Sequence, residues 1–206
     1  DHADTVTVTV ADDEGNTAAG SGDAGVAFAD QAPSLTMTKT PSVGFVPEPG
    51  GTVTFAVEAE NTSVEPVTLT SLVDSVYGDL LDAENAAVSA NTCPAQPTLI
   101  PAGGTFSCSF DAYLAGDAGD PDHFDSVTIT VADDEGNTTT GSDGATVAFG
   151  DVAPHVDVAK GASPATVPEP GAMVTFSVTA ANTSAEPVTL ASLMDDVYGD
   201  LHNGRP

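Results

Sequence analysis

The residues whose types and spacing could do chemistry in this chain are almost all carboxylates. Two runs, Asp12-Asp-Glu-Gly-Asn16 and Asp133-Asp-Glu-Gly-Asn137, set acids close together, as a hard cation such as calcium requires of its oxygen ligands. A complete EF-hand loop also needs ligands at alternate positions and a distal bidentate Glu, which neither run supplies. As turns the same runs are ordinary, since Gly accepts positive φ and Asp or Asn closes the bend. The ion-site and turn readings both stand at this level. A second acidic loop carries Asp117, Asp120, Asp122 and Asp125, and a third group is Asp74 with Asp79 and Asp82. The candidate calcium ligands are Asp117, Asp120, Asp122, Asp133, Asp134 and Glu135, and calcium is the one cofactor to consider.

Other reactive residue types are sparse. His2 and His123 sit beside acids, His155 and His202 are isolated, and no Ser-His-Asp spacing falls in a strand-turn-helix context. Exposed loop histidines and no catalytic residue are the expectation. Cys93 and Cys108 flank Thr98-Leu-Ile100 and the turn Pro101-Ala-Gly-Gly104, which suits a bridge across a hairpin, the alternative being two buried thiols. Closing such a loop adds about 3 kcal/mol in the chain-entropy model and implies an oxidising, extracellular compartment. Asn61, Asn137 and Asn182 each begin an Asn-x-Ser/Thr sequon, a glycan acceptor or simply good turn chemistry.

Against 31 acidic residues stand three basic ones, Lys39, Lys160 and Arg205, for a formal net charge of -28. That balance argues against a nucleic-acid partner, whose phosphates need a basic patch. It suits a solvated, aggregation-resistant surface in a salt-rich habitat, or divalent cations held at domain junctions. No apolar run approaches the roughly 20 residues of a membrane span. No basic-then-apolar leader opens the chain, and the absence of an initiating Met fits a processed or excerpted one.

The elements that must position these residues come in repeated form. Asp1–Leu80 aligns without a gap with Asp122–Leu201, a period of 121 residues, and 51 of the 80 positions are identical. A repeat this faithful reads as an array. If a unit runs over 33–153, residues 1–32 are the C-terminal part of one copy and 154–206 the N-terminal part of the next. Such fragments expose apolar faces and unpaired backbone groups. The chain is therefore expected to be a segment of a longer protein, or a subunit completed by its neighbours. Its expected partners are neighbouring repeats of the same or an identical chain, with a homo-polymer as one form.

Within the unit, apolar residues alternate with Thr, Ser and acids at the period of half-buried strands. Val53, Phe55, Val57 and Ala59 share one face; so do Phe106, Cys108, Phe110 and Ala112, and so do Val127, Ile129 and Val131. Val147 with Phe149 closes the unit, and shorter strands are predicted near 34–40, 67–72 and 86–90. Turns at 47–51, 101–104, 115–121 and 133–137 separate them. Seven or eight short strands in one domain-sized unit predict an all-β, immunoglobulin-like sandwich, repeated in tandem.

Val46-Pro-Glu-Pro-Gly-Gly-Thr-Val-Thr-Phe55, Asn61-Thr-Ser-Val-Glu-Pro-Val-Thr-Leu69, Tyr77-Gly-Asp-Leu80 and Phe106-Ser-Cys-Ser-Phe110 together resemble the immunoglobulin-like repeats of large bacterial cell-surface proteins. The resemblance covers the whole unit and both fragments. It implies secretion, tandem arrays and a stalk, adhesive or fibre role, with no shared catalytic residues. The short Pro-containing connections Asp30-Gln-Ala-Pro33 and Asp151-Val-Ala-Pro154 favour restricted angles between units. The expected function is a secreted structural repeat protein without enzymatic activity, forming a cell-surface stalk or extracellular filament. The alternative is an adhesin-type module that grips a glycan or protein through its loops.

Overall fold

A computed structural model describes residues 1–94 and 98–202 of the chain. β1 (His2–Ala11) and β2 (Thr17–Val26) form an N-terminal hairpin. The central unit contains β3 (Leu35–Pro41), β4 (Phe45–Pro47), β5 (Gly50–Asn61), β6 (Val67–Asp74), β7 (Gly78–Asp79), β8 (Thr98–Ile100), β9 (Thr105–Ala115), β10 (His123–Ala132) and β11 (Thr138–Gly150). Beyond it, β12 (Val156–Ser163) pairs with β13 (Thr175–Asn182), and β14 (Met194–Asp195) with β15 (Gly199–Asp200). Among the described residues no helix is long and apolar enough to cross a membrane.

Alternation sorts the central strands into two facing sheets, the immunoglobulin-like sandwich expected from the sequence. One sheet has the order β3-β5-β9; the other runs β4-β11-β10-β6-β7, with β8 added on β6. Val53, Phe55, Val57 and Ala59 of β5 and Phe106, Cys108, Phe110 and Ala112 of β9 line the first inner face. Leu69 and Leu72 of β6, Val127, Ile129 and Val131 of β10 and Val147 of β11 line the second. Each large side chain buried this completely contributes about 1.5–3 kcal/mol. Phe55 and Phe110 stack with ring centroids 5.4 Å apart.

A β-bulge in β6 breaks the alternation. Leu69 pairs with Val131 and Ser71 with Thr130, so Thr70 is an extra residue opposite a single step of β10. Val67 and Leu69 point inward before the bulge, Leu72 and Asp74 after it. One inserted residue thus carries a carboxylate into the core. The chain also changes sheets early: β3 pairs with β5, whereas β4 runs parallel to β11 in the opposite sheet. Gly50 makes the return into β5 with φ 136°, where a Cβ would lie 2.1 Å from the Leu114 carbonyl oxygen.

The strand predicted at 86–90 is not formed; only an isolated bridge joins Ser89 to Asp111. Side chains there compete for the backbone: Asp82 accepts the Glu84 N–H, Asn85 the Ala87 N–H and Asn91 the Cys93 N–H, each closing a turn instead of a ladder.

The N-terminal hairpin repeats the geometry of β10–β11. His2 pairs with Val26 as His123 pairs with Val147, both positions displaced by 121, and the register matches along the whole of β1. Surroundings differ, however. Val6 and Val10 are 63% and 59% exposed, while their counterparts Val127 and Val131 are fully buried.

Candidate functional site

Three inward-facing positions at one end of the sandwich carry charges in place of apolar side chains. Lys39 follows Leu35 and Met37 on the inner face of β3. Asp74 is turned inward by the β6 bulge, and Asp125 stands one step before Val127 on β10. Lys39 Nζ donates to Asp74 Oδ2 at 2.6 Å and lies 2.6 Å from Asp125 Oδ2, and all three side chains are wholly buried. Aromatic rings close the site. Nζ sits 4.5 Å from the Phe55 ring centroid and 5.5 Å from that of Phe110, and the Tyr77 ring packs edge-on to Phe110 at 5.7 Å.

The two carboxylates are held differently. Asp74 Oδ1 accepts the backbone N–H groups of Val76 (2.8 Å) and Tyr77 (3.1 Å), so that oxygen faces two fixed donors while Oδ2 faces the amine. Neither Asp125 oxygen makes a hydrogen bond among the described residues, Oδ2 meeting Lys39 Nζ as an ion pair only. His123 Nε2 lies 3.4 Å from Asp125 Oδ2 and 3.3 Å from the Tyr77 hydroxyl. Burial, with Asp125 and Asp74 behind it, pushes the Tyr77 phenol up to about 12. One ammonium between two carboxylates, all buried from solvent, is costly unless every group is satisfied.

The C-terminal fragment rebuilds part of this arrangement. Lys160 Nζ donates to Asp195 Oδ2 at 2.5 Å, and Asp195 Oδ1 accepts from Val197 (2.9 Å) and Tyr198 (3.0 Å). Phe176 lies 5.2 Å from Lys160 Nζ, as Phe55 lies near Lys39. Hydrogen bonding to Lys160 leads the effects that hold the Asp195 carboxyl down at about 2. The counterpart of Asp125 is Asp4, which sits in the exposed N-terminal hairpin.

Acidic groups also converge at both ends of the sandwich. Asp30, Asp133 and Glu135 bring one oxygen each within 4.8 Å of one another, as do Glu65, Asp134 and Glu135. At the opposite end Glu48, Asp117 and Glu186 do the same. Of the sequence candidates, Asp117, Asp133, Asp134 and Glu135 therefore join clusters, whereas Asp120 and Asp122 do not. Asp120 Oδ2 instead accepts the Asp117 N–H. Asp79 and Asp82 cap the N–H groups of Leu81 and Glu84. The 133–137 run is also a turn: Asp133 accepts the backbone and side-chain N–H groups of Asn137 at 2.7 and 2.9 Å. Burial opposes ionisation of Asp133, but those bonds, with Gly136 and Glu135, leave its carboxyl below the ordinary range.

Glu48 clasps the connection to the next copy. Its buried carboxylate accepts the N–H groups of Ala118 (2.6 Å) and Val152 (2.7 Å), and those donors, Ala118 first, hold it below the usual carboxylate range. Glu186 rests against it. A hydrogen bond with Glu48, then burial and the charges of Glu48, Asp117 and Asp151, holds the Glu186 carboxyl above that range.

Cys93 and Cys108 form a disulfide with Cα atoms 4.8 Å apart. Asn61 is buried, and its Nδ2 donates to the carbonyls of Glu65, Ile100 and Pro101, so this sequon ties two loops together and presents no free amide to a sugar. Asn137 and Asn182 are exposed; Asn137 Nδ2 donates to Asp133 and, across the sequence, to Asp30, while Asn182 Nδ2 donates to the Glu186 carbonyl. His123 is not the exposed loop residue expected: it opens β10 with its ring half-buried, 6.2 Å from Phe55 and 6.0 Å from Tyr77.

The likeness to known structures is one of fold. A PapD-like domain of human CEP192 shares 15% identity at a TM-score of 0.36, over 63% of this chain and 96% of that one. A Ca2+-stabilized adhesin that helps an Antarctic bacterium reach out and bind ice shares 22% at 0.30, over 77% of this chain and 35% of that one. The C-terminal domain of the Streptococcus agalactiae AgI/II polypeptide BspA shares 12% at 0.25, over 59% and 52%. No family model and no curated protein sequence matches the chain.

Sequence reasoning missed Lys39 and Glu48. The signal for Lys39 lay in the repeat: between 34–41 and 155–162 the lysine is the one residue the copies share, in a chain with three basic residues in all. Glu48 lay within the shared Val46-Pro-Glu-Pro-Gly50, where composition reads simply as a turn.

Proposed function

We propose that this chain is a segment of an extracellular structural protein, in which successive sandwiches act as a stalk or filament and catalyse no reaction on an external substrate. The observation that carries this reading is the coincidence of β1–β2 with β10–β11, residue for residue at an offset of 121, together with the grip of Glu48 on the connection that follows the central unit. A disulfide inside the unit supports an oxidising, extracellular setting. Neighbouring copies, from the same or an identical chain, are the partners this role requires. Electron microscopy of the native protein tests it: a row of beads along a rod or fibre is expected, and a single compact particle would contradict it.

Calcium at the junctions belongs to the same role. Carboxylates gathered at each end of the sandwich support it, since oxygen-rich sites suit this cation. A melting temperature raised more by calcium than by sodium chloride of matched ionic strength is expected; equal effects would remove calcium from the account.

A further inference from the structure

Among the groups the stalk role leaves unused, the buried Lys39 site is built for a reaction of its own. A primary amine touches two carboxylates at 2.6 Å, all three side chains are without solvent exposure, and one carboxylate oxygen already faces two backbone donors. Stability alone explains this poorly, because a buried ion pair is commonly matched or bettered by apolar residues of similar volume. Repetition of Lys160 with Asp195, and of its two N–H donors, in a fragment whose flanking β12 sequence has diverged, marks the arrangement as one the protein keeps.

We infer that Lys39 and Asp74 condense within the folded unit to an isopeptide bond, with Asp125 as the proton carrier. Lys39 Nζ first passes a proton to Asp74 Oδ2, and the neutral amine attacks Cγ. The carbonyl electron pair moves onto Oδ1, where the N–H groups of Val76 and Tyr77 receive the charge as an oxyanion hole does. Asp125, whose Oδ2 lies 2.6 Å from Nζ and whose oxygens make no hydrogen bond among the described residues, takes a second proton from nitrogen and delivers it to Asp74 Oδ2. The C–Oδ2 bond breaks, its electron pair leaves with water, and the carbonyl re-forms at Oδ1. An ammonium and a carboxylate become an amide and one water, Asp125 returns to its starting state, and no oxidant or cofactor is consumed. Contact geometry of this kind replaces a bimolecular encounter. The bond would tie β3, the first strand of one sheet, to β6 of the other.

Intact-mass measurement of the reduced, denatured chain tests this directly. The expected mass lies below the sequence mass by one water and not two, because among the described residues no second carboxylate is in contact with Lys160 beside Asp195. Fragmentation should then place the cross-link between the peptides carrying Lys39 and Asp74. Lys39→Met and Asp125→Asn should each restore the full sequence mass. Asp74→Asn should still cross-link, losing ammonia instead of water, since an amide carbon remains for the amine to attack. A wild-type chain of full sequence mass overturns the proposal, and a bond mapped to Asp125 overturns the assignment of the two carboxylates.

Discussion

Lys39 reaches Asp74 across the sandwich because a single extra residue, Thr70, turns the end of β6 inward. Two sheets are joined there by charge, where the rest of the interior joins them by apolar packing. Removing the cation alone should therefore hurt more than removing the whole group. Lys39→Met strands two buried carboxylates and forms no cross-link, so adding Asp125→Leu to Lys39→Met should raise stability by about 1–4 kcal/mol. Denaturant unfolding of both variants checks it, and equal stabilities would count against the coupling.

Deleting Thr70 restores uninterrupted alternation in β6 and turns Leu72 and Asp74 to the outer face. Loss of cooperative unfolding is expected. A shortened β6 that still melted cooperatively would show that the bulge is dispensable.

Tyr77 makes the unit sensitive to alkali. Its folded-state value of about 12 stands above the ordinary 10.0, so the folded chain keeps a phenolic proton that the unfolded chain releases. This part of the stability is full below pH 10 and declines as pH rises toward 12. Tyr77→Phe should flatten this decline, as followed by chemical denaturation between those two pH values.

The Cys93–Cys108 bridge spans 15 residues. Reduction should cost about 3 kcal/mol through the entropy regained by the unfolded chain, seen as a lower melting temperature with reductant. An unchanged melting temperature would mean that the reduced unfolded chain remains constrained there.

Much of this architecture was legible from period-2 patterning. The inner faces of β5, β9 and β10 carry the residues that alternation marked, and the turn at 133–137 closes where Gly136 and Asn137 required. What escaped was set by tertiary context. Asp74 reads as a loop acid until the bulge is known, because a one-residue slip reverses its face. Lys39 reads as a surface charge until both aspartates are seen beside it. The stretch 86–90 reads as a strand by its valine and alanines, yet Asn85 and Asn91 capture the backbone first.

Hydrogen exchange read by mass spectrometry tests most directly the central claim that the unit over 33–153 builds its own nucleus. Because the copies share so much sequence, the same local segments occur inside and outside a completed sandwich within one molecule. Amides of β10 and β5 should be strongly protected, while their copies in β1 and β13 should exchange far faster. Equal protection of the paired segments would contradict the account.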